Sequence, residues 1–198
     1  MIRKKFTILE STAVPLPLAN IDTDQIIPAR FLSATGRGGF GENLFRDRRF
    51  DSDGHPVPGF VFNNPAYRGE ILIAGSNFGC GSSREHAVWA ITGYGFRAVV
   101  SDSFADIFMN NALNNGLLTV TVTPEFLAQL IELVTSHPAT KVQINLPEQV
   151  ISVPGTGLKS EFPVNPFRKE CLIKGLDNID YLLSMKEEIL EFEKSRQP

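Results

Sequence analysis

A mixed α/β fold around one sheet is what this chain predicts, and three observations point to it. The short apolar run Ile71-Leu-Ile-Ala74 leads into a glycine-punctuated turn, after which Ala87, Val88, Ala90, Ile91 and Tyr94 fall at helical spacing; that order reads as strand, turn, helix. Short β-rich runs and helical runs then alternate as far as residue 134, the pattern of strands joined through helices. Beyond it, β-rich runs at 142–146, 149–153 and 158–164 follow closely, with Gly155-Thr-Gly157 between the last two, as in a β-meander. With 198 residues, 42% of them hydrophobic, the chain can bury one good core, so a single domain over 1–198 is expected.

Residues 6–14 are β-rich and end at Pro15, a first strand with its stop. Asn20-Ile-Asp-Thr-Asp24 is a turn dense in side-chain acceptors. Asp22 and Asp24 lack a third acidic residue at calcium-loop spacing, so they are expected to brace the turn through Asx hydrogen bonds. From 33 to 68 the chain turns polar and aperiodic, rich in glycine and proline. Such a stretch inside a compact domain predicts a mobile functional loop. Arg30 and Arg37 bracket its start, and either can meet a carboxylate.

A helix is expected over 84–94 and a strand at Ala98-Val-Val100. Ser103-Phe-Ala-Asp106 has the S-x-x-D form of a helix start, with Phe104, Ile107, Phe108 and Ala112 facing inward and Gly116 as the stop. The asparagines at 110, 111, 114 and 115 are many for a helix and are expected to brace its end or a neighbouring loop. A strand over 117–122 precedes Thr123-Pro-Glu125, which opens a helix to Val134 with proline suitably at its first position. Two helices, 166–174 and 179–194, close the chain.

A formal charge of −3 and no Lys/Arg-rich run argue against nucleic acid as the main partner. No apolar run approaches the roughly 20 residues that cross a bilayer. The start, Met1-Ile-Arg-Lys-Lys-Phe6, has charge with no apolar segment behind it, unlike a secretory signal. Cys80 and Cys171 are the only cysteines, and they form no zinc-type spacing with His55, His86 or His137. A cytoplasmic protein is expected.

The chemistry concentrates in Gly75-Ser-Asn-Phe-Gly-Cys-Gly-Ser-Ser-Arg-Glu-His-Ala87. Its glycines let backbone approach a ligand closely. Ser82 and Glu85 fit a capping box, which predicts Ser82 at the N-cap and Ser83 and Arg84 in the first helical turn. Free N–H groups, the positive end of the helix dipole and a forked guanidinium all favour an anion there. The turn is not a P-loop, because Ser82 stands where the lysine belongs, and the glycine spacing differs from a dinucleotide fingerprint.

Gly-Ser-Ser-Arg-Glu-His-Ala87 resembles the signature of the mobile C-terminal domain of aconitase-type hydro-lyases. The longer motif from Asn77 is similar to that of the small-subunit family of 3-isopropylmalate dehydratases. Asn20-Ile-Asp-Thr-Asp24, Gly39-Phe-Gly41, Ser103-Phe-Ala-Asp-Ile-Phe108 and Gly175-Leu-Asp177 follow the family order, so the resemblance spans about 6–183. It implies the swivelling β/β/α domain of the aconitase superfamily. It implies a hydro-lyase that interconverts 2- and 3-isopropylmalate by removing and re-adding water, in leucine biosynthesis. Ser82 then matches the catalytic base, Ser83 and Arg84 match substrate-carboxylate contacts, and 31–38 matches the segment that selects the substrate side chain, with Arg30 before it and Arg37 within it as the candidate carboxylate contacts of that loop. The family's four-iron four-sulfur cluster acts as Lewis acid on the leaving hydroxyl. Such a cluster needs three or four thiolates, so with two cysteines it is expected on a large partner subunit. Related acids of citramalate or homocitrate type share the malate core, and a non-catalytic binding module could use the same fold.

Overall fold

The computed structural model describes residues 4–32 and 38–195. The expected α/β mixture is present, but it is built on two sheets rather than one. Strands β1 (Ile8–Ser11), β6 (Val142–Asn145), β7 (Val150–Ser152) and β8 (Lys159–Glu161) form an antiparallel sheet in that order. Strands β2 (Ala13–Leu16), β3 (Ile71–Ala74), β4 (Ala98–Ser101) and β5 (Leu118–Thr121) form a parallel one. The first β-rich run is thus divided between the sheets. Pro15 lies inside β2 instead of ending it; β2 pairs with β3 alone, and an edge strand can carry a residue that donates no ladder hydrogen bond.

The parallel sheet is buried on both faces, and the period of two sorts its residues. Ala13, Ile71, Ile73, Ala98, Val100, Leu118 and Val120 join one core with Leu9, Val142, Ile144 and Ile151 of the antiparallel sheet. Helix α5 (Pro124–Ser136), capped by Thr123 as expected, adds Phe126, Leu127, Leu130 and Val134 to this core. The alternate residues Val14, Leu16, Leu72, Ala74 and Val99 face a second core. That core contains Ala87, Val88, Ala90 and Ile91 of helix α3 (Glu85–Tyr94), with Phe108 and Ala112 of helix α4 (Asp106–Asn114). Continuous apolar strands with crossover helices are what a doubly covered parallel sheet requires.

Residues 38–68 are more structured than an aperiodic loop. They contain 3-10 turns at Phe40–Asn43 and Val61–Asn63 and the short helix α2 (Arg46–Arg49); helix α1 (Thr23–Ile26) precedes them. Phe40, Leu44, Phe45 and Phe62 are buried in the second core. Aromatic stacking with few aliphatic residues hides this packing from a periodicity search. Gly41 lies so close to α3 that an added Cβ would sit 2.3 Å from the carbonyl carbon of Gly93.

Three further expectations change. Helix α4 begins one residue after Ala105, with no side-chain cap; Ser103 instead donates to Asp102 at 3.0 Å. Ile107, predicted inward, is 53% exposed. After helix α6 (Pro166–Lys174), the last predicted helix is two, α7 (Asn178–Ser184) and α8 (Lys186–Ser195). No helix among the described residues is long and apolar enough to cross a membrane.

Candidate functional site

The loops after β2, β3 and β4 leave the same, carboxyl-terminal edge of the parallel sheet, where ligands of open α/β sheets bind. Their backbones continue the strand pairing beyond the strands. Asn20 N–H donates to the Ser76 carbonyl (2.8 Å), Gly79 N–H to Ile21 (2.8 Å) and Thr23 N–H to Cys80 (3.0 Å). On the other side, Phe78 N–H donates to Ser103 (3.1 Å) and Ala105 N–H to Phe78 (3.1 Å). The glycine-rich turn is therefore held between two neighbours by main-chain bonds. Gly79 needs to be glycine twice over: φ is +78°, and a Cβ would fall 2.2 Å from Phe108 Cγ.

Side chains tighten the frame. Ser76 Oγ donates to Asp102 Oδ2 at 2.6 Å, Asn77 N–H donates to Ser103 Oγ at 2.8 Å, and Asn77 Nδ2 donates to Asn20 Oδ1 at 2.8 Å. The buried Thr23 donates from Oγ1 to the Ser82 carbonyl at 2.9 Å, fixing the peptide that follows Ser82.

Ser82, Ser83 and Arg84 come together in one cleft of about 270 Å³, between Thr23 and residues 105–108. Both serines are exposed. Neither is the helix cap. Arg84, in extended conformation, is the N-cap of α3 and makes no side-chain capping bond. Glu85, expected to close a capping box with Ser82, accepts instead from Asn115 Nδ2 at 2.8 Å. The serines thus precede the helix, at the positive end of its dipole.

Arg84 keeps 18% of its side chain exposed and donates through Nη1 to Asp24 Oδ1. Asp22 caps α1 by accepting from Gln25 N–H at 2.7 Å. The structural role expected for Asp22 is present, whereas Asp24 reaches into the site. Thr23, Asp24 and Asn111, whose Nδ2 is 3.5 Å from Ser83 Oγ, are the residues sequence reasoning missed here. The available signal was the acceptor-rich turn itself, which follows the strand neighbouring the glycine-rich turn.

Arg30 is not part of the cleft wall. It forms a two-pronged pair with Asp47, Nη1 to Oδ2 being 2.9 Å, and stacks over Phe31. The hydrogen bonds from Arg30 hold the Asp47 carboxyl below the usual carboxylate range. Arg37 lies outside the described residues. His86 packs between Phe40 and Trp89, with ring centroids at 5.3 and 4.7 Å, and does not line the cleft. Cys80 is half-buried in the turn and Cys171 is buried on α6. Two thiols on separate elements do not fit a four-iron cluster, which takes at least three.

The aconitase C-terminal domain family matches residues 3–125. A protein of Cytophaga hutchinsonii named 3-isopropylmalate dehydratase small subunit is 55% identical over 192 residues, covering 97% of this chain and 96% of its own. One of the same name from Christiangramia forsetii is 55% identical over 194 residues, covering 98% and 95%. Among solved structures, 3-isopropylmalate dehydratase of Methanocaldococcus jannaschii superposes with a TM-score of 0.65 at 28% identity, over 94% of this chain and 99% of that one.

Proposed function

Because the chain belongs to the family of 3-isopropylmalate dehydratase small subunits, built on the aconitase C-terminal domain, we propose that it supplies the base and the carboxylate clamp of a hydro-lyase interconverting 2- and 3-isopropylmalate. The observation that carries this reading is the shared cleft of Ser82, Ser83 and Arg84 at the head of α3. Arg84 holds a substrate carboxylate with the guanidinium edge that Asp24 leaves open. Ser83 Oγ adds a further hydrogen bond. Ser82 Oγ, as alkoxide, takes the proton from the carbon beside the carboxylate as the hydroxyl leaves the neighbouring carbon and the double bond forms, and the resulting Ser82 hydroxyl gives a proton back when water re-adds.

A serine hydroxyl is a poor base in water. Its alkoxide gains from the positive end of α3 and from the neighbouring guanidinium, both of which stabilise negative charge. Thr23 holds the Ser82 carbonyl and so limits the positions open to the hydroxyl. Asp47 occupies the Nη1 and Nη2 donors of Arg30, so a substrate carboxylate gains those two donors by displacing Asp47, and Arg37 is the alternative contact. The four-iron four-sulfur cluster belongs, in this reading, to a large partner subunit, since the donors of this chain do not fit it. The reaction is placed in the cytoplasm, within leucine biosynthesis.

Reconstitution tests the proposal. The chain is purified alone and with its large subunit under anaerobic conditions, and isopropylmalate turnover, iron and visible absorbance are measured. The chain alone is expected to be colourless and inactive, and the complex active. Turnover or stoichiometric cluster iron from this chain alone overturns the division of labour; a complex active on citramalate but not on isopropylmalate overturns the substrate.

A further inference from the structure

A second cleft, sharing no wall residue with the first, opens on the flank of α4 opposite α3. It has a volume of about 580 Å³ and lies between α4, the open edge of β5 and the segment entering α6. Met109, Leu113, Val164 and Phe167 give it an apolar wall; Asn110, Thr119, Thr121 and Asn165 add neutral polar groups, and Arg168 is the one charged residue of its lining. Such a volume, mainly apolar with few convergent polar groups, is that of a small-molecule site.

Arg168 identifies the chemistry. Its Nη1 donates to two neutral carbonyls, Asn114 Oδ1 and Asn178 Oδ1 (2.9 Å to the latter), and its guanidinium lies over the Phe167 ring at 5.2 Å. These contacts from α4, α7 and α6 hold the fork in one orientation. Among the described residues, Nε and Nη2 donate to no protein acceptor. A planar cation, held in place with one edge unused beside an apolar wall, matches a carboxylate carrying a hydrophobic body.

We propose that this cleft binds a small monocarboxylate with a branched or aromatic apolar body, its carboxylate on Arg168 and its body against Met109, Leu113 and Val164. A dicarboxylate of malate type fits it poorly, because the lining offers its second charge neutral amides and hydroxyls but no second cation.

The test uses the full chain and 4-methylpentanoate as probe, with 4-methylpentanamide as its uncharged isostere, read by chemical-shift titration. A ligand of about eight heavy atoms binds in the micromolar to millimolar range. Saturable binding of the acid is expected, with shifts confined to the walls of this cleft. The amide should bind at least about tenfold more weakly, as should the acid to Arg168→Gln, because a charged hydrogen bond is lost. Equal affinity for acid and amide, undiminished binding to Arg168→Gln, displacement of the probe by malate, or no saturation at about 10 mM probe overturns the proposal. The acid–amide comparison and the malate competition use the unmodified chain, so they decide the matter even if the variant fails to fold.

Discussion

Arg84 donates through Nη1 to Asp24 Oδ1 across 60 residues of sequence, tying the turn after β2 to the head of α3. The pair orients the guanidinium while using one of its edges. In the reconstituted enzyme, Arg84→Lys should lose about 1.5–3 kcal/mol of transition-state binding, one charged hydrogen bond left unmade, and so about 10- to 150-fold in kcat/KM. Asp24→Asn keeps the shape of the acceptor but not its charge. It should raise KM while costing under about 1 kcal/mol of stability, because the Asp24 side chain is 56% exposed. An unchanged kcat/KM in Arg84→Lys would leave Arg84 as a brace for the turn only.

Arg30 and Asp47 make the complementary case, a bidentate pair outside the cleft. The Asp47 carboxyl is held down by hydrogen bonds from Arg30, so its contribution to stability is present above the unfolded carboxylate range and is lost as pH falls through the lower folded value. Both groups are more than half exposed, and the contribution is small. Carboxyl NMR should show Asp47 titrating below the ordinary range in the wild type and returning to it in Arg30→Gln. The same variant should raise KM less than Arg84→Lys does; a larger effect would mean that substrate displaces Asp47 from Arg30.

What the sequence makes legible is local. Strand, turn and helix from 71 to 94 follow from apolar spacing and glycine, and the serine–serine–arginine turn sits where that order places it. Three things are hidden because they depend on distant chain. Ser82 and Glu85 have the spacing of a capping box, yet Glu85 bonds to Asn115, 30 residues away. Asp24 resembles a brace for its own turn until the sheet places it against Arg84. Residues 38–68 have no period because Phe45, Phe60 and Phe62 pack on one another, with centroids 4.9–6.3 Å apart, and not along one helix or strand face.

Gly79 joins frame and cleft, so Gly79→Ala should harm both. A non-glycine residue at φ +78° costs about 1–2 kcal/mol, and the overlap with Phe108 adds to it. For a domain of this size each kcal/mol lowers Tm by about 2–4 °C. Calorimetry should therefore show a fall of several degrees, with weakened substrate binding. Phe108→Ala in the same chain should recover part of the overlap cost but none of the backbone cost. A Tm equal to wild type in Gly79→Ala would mean that the turn relaxes without penalty, contrary to its main-chain bonds on both sides.

Ser82 offers the sharpest test, because the structure separates its chemistry from helix capping. The N-cap of α3 is Arg84 and no side chain caps the helix. The bond that holds Ser82 uses its carbonyl, as acceptor from Thr23, and a substitution leaves that carbonyl in place. Ser82→Ala at this exposed position should therefore change stability by no more than about 0.5 kcal/mol, where removal of a cap would cost about 1 kcal/mol. Loss of a general base should lower kcat by about 10²- to 10⁴-fold, with KM little changed because Ser83 and Arg84 still hold the carboxylate. Ser83→Ala should show the opposite split, a higher KM with the smaller change in kcat. If Ser82→Ala keeps kcat within about tenfold of wild type, a base of that strength is absent from Ser82. The proton must then be taken by another group, and Ser82 belongs with Ser83 among the hydrogen-bonding groups of the cleft.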